Sequence, residues 1–129
     1  ISALFVFGCS KKSVHLNVAK KMLKALQEYS QVLENINSWY RQLKRTGQQR
    51  ELTNEFKNRM IEAHKKIRSF RKEVEQLSTE YDNNEDIQKI TNDIVIANVN
   101  ILRLENKIRY IPGIKKFFGK LTRMNLERR

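Results

Sequence analysis

Apolar side chains recur in this sequence at alternating three- and four-residue steps, three times over, along stretches with no proline. The first series starts at Ala19 and runs through Met22, Leu26, Tyr29, Leu33, Ile36, Tyr40 and Leu43, with Leu23, Val32 and Trp39 widening it. The second is Phe56, Met60, Ala63, Ile67, Phe70, Val74, Leu77 and Tyr81, and the third is Ile87, Ile90, Ile94, Ala97, Ile101, Leu104, Ile108 and Ile111. This spacing keeps one face of an α-helix apolar, whereas a half-buried strand alternates at every second residue. It also suits long helices packed with their axes nearly aligned. The series match in length, which predicts helices of about 40–50 Å each at 1.5 Å rise per residue. One proline and four glycines are too few to punctuate a sandwich or barrel. The expected fold is therefore all-α: an antiparallel three-helix bundle with coiled-coil-like packing, followed by a short C-terminal amphipathic helix. A chain of 129 residues can bury such a core without disulfides or metals.

Local signals place the ends. Ser13 can cap the first helix, and Arg41, Lys44 and Arg45 sit where cations meet the negative end of the helix dipole. Gly47 can take the left-handed conformation that closes a helix, and the run from Thr46 to Gln49 fits a capping box for the second helix. Asn83 or Asn84 can cap the third, with Glu85 and Asp86 in its first turn, and Pro112-Gly113 ends it. Helices are expected over Ser13–Arg45, Gln48–Tyr81 and Glu85–Ile111, with no sheet. Leu33, Ile67, Phe70 and Ile101 are expected among the most buried side chains.

The third helix is apolar over more than half its circumference, because Val95, Val99 and Leu102 broaden its stripe. A helix of that kind is covered on more than one side. Either the other helices and the tail enclose it or it meets another molecule, and the tail is the expected cover. That tail, residues 112–129, carries Ile114, Phe117, Phe118, Leu121 and Met124 at helical spacing, with Lys115, Lys116, Lys120 and Arg123 on the remaining surface. The pattern fits a helix folded onto the bundle, or a surface-seeking helix whose aromatics enter lipid while the cations face anionic headgroups. Lys115, Lys116, Phe117, Phe118, Lys120 and Arg123 are accordingly the candidate membrane or partner contacts.

The formal charge is +12, and it is uneven: +6 over residues 11–46, +1 over 47–82, −2 over 83–102 and +7 over 103–129. Such a chain attracts phosphates, anionic lipid and acidic proteins. The aromatics mostly occupy helix-stripe positions and do not alternate with basic residues as a stacking platform, which argues against nucleic acid as the partner. One cysteine and two histidines, His15 and His64, cannot supply a usual four-ligand zinc site without carboxylates or a second chain, and no cofactor motif is present. His64 is expected at the edge of the second stripe. The carboxylates are scattered over helix surfaces and define no catalytic pair, so no catalytic or metal-binding residue is assigned and no enzyme activity is expected.

The sequence opens with an uncharged apolar run, Ile1 to Gly8, followed by Cys9 and then Ser10-Lys11-Lys12. This resembles the end of a bacterial lipoprotein signal, in which an aliphatic residue, a variable residue and a Gly or Ala precede an invariant Cys; Val6, Phe7, Gly8 and Cys9 fill those places. The resemblance implies cleavage after Gly8 and a lipid on Cys9. It divides the chain into a signal-peptide remnant (1–8), a tether (9–12), the bundle (13–111) and the basic amphipathic tail (112–129). The expected protein is a non-enzymatic lipoprotein on the periplasmic or extracellular face of a cell-envelope membrane. It is held by lipid through Cys9 and the basic tail, and it serves as a helical adaptor or binding module for a protein partner. The competing expectation is a soluble or peripheral intracellular basic helical protein that binds nucleic acid or an acidic protein, with residues 1–9 part of the fold.

Overall fold

The computed structural model describes the backbone of residues 2–80 and 84–127 and the side chains of 14–76 and 84–124. Among the described residues it is all-helical, with four helices and no strand: α1 (Ser2–Arg45), α2 (Asn54–Glu80), α3 (Glu85–Lys107) and α4 (Ile114–Glu127). α1 is the axis of the molecule. α2 and α3 each pack extensively on α1 and only sparsely on each other, and α4 packs on α2.

The helices are unequal. α1, with 44 residues, spans about 66 Å, against about 40 Å for α2 and 35 Å for α3. The expected start near Ser13 gives way to one at Ser2, so the backbone of residues 9–12 is helical. No proline interrupts this stretch, and an isolated glycine such as Gly8 costs a helix only about 1 kcal/mol.

α1 ends as its sequence indicates. Gly47 adopts φ +74°, its N–H donates to the Lys44 carbonyl at 3.1 Å, and the Gln48 N–H donates to the Leu43 carbonyl at 2.9 Å. The two bonds satisfy carbonyls that a helix end leaves open. The capping role expected of Thr46 is not seen. Its hydroxyl turns back and donates to the Leu43 carbonyl at 2.9 Å. Thr53 caps α2 instead: its Oγ1 accepts from the Phe56 N–H at 3.3 Å, and helix begins at Asn54 rather than Gln48. Asn84 caps α3, accepting from the Ile87 N–H at 3.2 Å. α3 stops at Lys107, short of the expected Ile111. Pro112 supplies the reason, since its ring would clash with the carbonyl four residues back and it disfavours helical backbone at Ile111.

The three stripes converge on one core that includes Leu26, Tyr29, Leu33, Ile36, Met60, Ile87 and Ile108. Leu33, Ile67 and Ile101 are buried as expected, but Phe70 is only half-buried at the core's margin. The turn between α3 and α4 contributes Ile108 and Ile111, and α4 contributes Ile114, Phe117 and Leu121. The tail helix is thereby fixed to α2, where the Arg68 guanidinium donates to the Met124 carbonyl at 3.3 Å and Lys57 sits over the Phe117 ring.

Candidate functional site

Fixing α4 to α2 leaves α3 without its expected cover. Val95, Ile96, Val99 and Leu102 are 58, 65, 51 and 60% exposed. They share one side of α3 because, at about 100° per residue, steps of one, three and three residues keep all four within about 120° of arc. Beside Val95, Ile96 and Val99, residues Leu23, Gln27, Ser30 and Gln31 of α1 form the other wall of a shallow groove, with Asp93 towards one end and Arg103 with Glu34 towards the other, while Leu102 lies on the α2 side of the same face, beside Asn98 and Glu105. A groove with an apolar floor and uncharged polar walls has the chemistry that receives an amphipathic helix. Its sequence signal was the excess apolar width of α3. Which element would fill it was not legible, because stripe positions do not say on which neighbour a short tail helix will pack.

The candidate contacts on the tail divide. Phe117 is buried in the core and Phe118 is half-buried against it, so Phe117 serves the fold and is not available to lipid in this arrangement. Lys115, Lys116, Lys120 and Arg123 are exposed and form a basic outer face. Cys9, the proposed lipid attachment point, lies on α1, but its side chain is outside the described residues. No described helix is long and apolar enough to cross a membrane, and no group of metal-ligating side chains assembles among the described residues.

Sequence reasoning missed a polar junction of the three long helices. The Tyr29 hydroxyl on α1 donates to Glu105 Oε2 on α3 at 3.2 Å and lies 3.1 Å from Nε2 of His64 on α2. With the hydroxyl proton committed to the carboxylate, His64 must carry its proton on Nε2 and donate to the hydroxyl oxygen. Burial, then the nearby Arg71 guanidinium, push the His64 pKa down, so the neutral ring this requires is favoured. Burial, then the Glu105 charge and hydrogen bond, push the Tyr29 pKa up. Burial also raises the Glu105 carboxyl, against the lowering effects of the Tyr29 bond and Arg109. A tyrosine so held is a poor acid and the histidine a poor cation. The trio therefore acts as a satisfied lock among three helices. No sequence pattern announces it, since its members are 35 and 76 positions apart. His64 is accordingly half-buried at the edge of its stripe and engaged by hydrogen bonding.

No protein-family model, curated protein or solved structure matches the chain.

Proposed function

We propose that this protein is a non-enzymatic cell-envelope lipoprotein, anchored through a lipid on Cys9, whose helical bundle serves as an adaptor that receives an amphipathic helix of a protein partner on α3. The observation that carries the binding role is the uncovered apolar face of Val95, Ile96, Val99 and Leu102, each more than half exposed. Such a contiguous face rimmed by polar side chains marks interaction sites in soluble domains. The lipid anchor rests on the run Val6-Phe7-Gly8-Cys9 and the polar basic residues behind it. A single acyl chain holds a protein weakly, so the exposed cations of α4 would add affinity for anionic lipid.

The finer architecture in this reading is an antiparallel three-helix bundle. The order of the contacts supports it: Tyr29 meets His64 while the later Trp39 meets the earlier Phe56 at 5.4 Å. Tyr29 meets Glu105 and the later Tyr40 meets the later Tyr110, as in an up-down-up arrangement where the first and third helices run in the same sense. The rival reading, a soluble basic protein that binds nucleic acid or an acidic partner, draws on the charge alone. Against its nucleic-acid form, Trp39 and Phe56 are committed to each other and packed on the core.

Mass spectrometry of the protein isolated from its native host tests the anchor. The expected product begins at Cys9 and carries the mass of attached lipid, and a Cys9→Ser variant leaves the membrane fraction. Recovery of the mature chain with residues 1–8 intact and Cys9 unmodified would falsify this part of the reading.

A further inference from the structure

The end of the bundle where α1 and α3 stop carries a feature that neither the apolar groove nor the tail explains. Arg41, Lys44 and Arg45 of α1 and Lys107 of α3 line one hollow, together with Asn37 and Tyr110. None of the four cations has a carboxylate within ion-pair distance among the described residues. No acid lines the hollow: Glu105 is turned to Tyr29, and Glu51 lies against Gly113. The bland account is that these cations complement the negative ends of two helices. The magnitudes do not close. Each helix end presents about half an elementary charge, so two ends offset only about one of the four positive charges.

The hollow is also built on rigid parts. Asn37, only 8% exposed, is among the residues that line it. Tyr110 is held edge-on against buried Tyr40 at 5.3 Å, in a turn anchored by fully buried Ile108 and nearly buried Ile111. The Lys44 ammonium lies 5.1 Å from the centre of the Tyr110 ring, and both residues line the hollow. We propose that this hollow binds a phosphate-bearing anion. Guanidinium and ammonium groups, the Asn37 amide and the Tyr110 hydroxyl can all donate to phosphate oxygens, and donors that converge without a competing carboxylate are what such a ligand selects. The phosphate could belong to a lipid headgroup or to a small free anion. Cys9 and Arg41 are separated by about 48 Å of helix, so a headgroup reaches the hollow if α1 lies along the membrane surface or if its far end meets a second one.

Isothermal titration of the full chain with sodium pyrophosphate, at salt near physiological strength, tests the site. Saturable binding is expected. An Arg41→Ala/Lys107→Ala variant should bind at least about tenfold more weakly, since hydrogen bonds to charged groups are the stronger class. A Lys65→Ala/Lys72→Ala variant removes the same charge elsewhere and should change affinity by less than about twofold. All four positions are exposed on helix surfaces, and circular dichroism checks that each variant keeps its helix content. Vesicles of phosphatidylglycerol, with phosphatidylcholine as the neutral control, identify the source. Vesicle binding lost in the hollow variant alone assigns a headgroup, whereas pyrophosphate binding with vesicle binding equal in both variants assigns a free anion. Absence of saturable pyrophosphate binding, or equal weakening in the two variants, overturns the proposal.

Discussion

Tyr29 sits where the sequence places a stripe residue, and it is only 2% exposed, but its hydroxyl does what no apolar stripe residue could. It ties α1 to Glu105 of α3 and to His64 of α2. Such a lock is sensitive to protonation. Because burial lowers the folded-state pKa of His64, the unfolded chain takes up this proton first as the pH falls below the ordinary histidine value of about 6.5. Stability rises with pH wherever the unfolded state binds more protons, so the His64 contribution is lost on acidification through that range. Glu105 works in the opposite direction: its raised folded pKa lets the native state bind the proton first on the way down. A His64→Gln variant separates the two, because glutamine can still donate to the Tyr29 oxygen but does not titrate. Urea midpoints measured from pH 7.5 to pH 5.5 should fall more steeply for the parent than for H64Q. Parallel curves would mean that the His64 ring is not held neutral by the fold.

Among the elements, the ones that local chemistry defines alone were legible. Alternating three-four spacing gave three helices, Gly47 gave the end of α1, and the Asn pair before Glu85 gave the start of α3. The start of α2 was misplaced through competition between equivalent signals. Thr46 and Thr53 both precede helix-forming sequence, and Thr46 was captured by the carbonyl of Leu43. Thr53→Ala should therefore destabilise the protein by about 0.5–2 kcal/mol, the usual cost of losing an N-cap. Thr46→Ala, which removes only an exposed bond to a helix end, should cost less. Thermal or urea unfolding checks the pair, and the reverse order would return the start of α2 to Gln48. α3 shows the other kind of failure. Its broad apolar face was visible in Val95, Val99 and Leu102, but the tail that was expected to cover it found its partners on α2. Amphipathic pattern specifies which face is buried, and three-dimensional packing decides against what.

For the molecule as a whole, apolar cover and charge are distributed unevenly. One side is closed by α4, whose Ile114, Phe117 and Leu121 complete the core, and the other leaves α3 open beside α1. Four cations crowd one end of the bundle, and Cys9 lies towards the opposite end of α1. The candidate site was half legible, as excess hydrophobicity on one helix. Its position depended on where a short tail helix docked, and the basic hollow depended on Lys107 and Tyr110 reaching the end of α1 across the fold. The exposed face of α3 is the proposed docking surface for a partner's helix. Photo-crosslinking in the native host tests this most directly, with a benzophenone side chain placed singly at Val99 or Leu102 and, as a control, at exposed Lys65 of α2. A discrete crosslinked protein adduct is expected from both α3 positions and none from position 65. Equal, diffuse labelling from all three positions, or no protein adduct from α3, would contradict it.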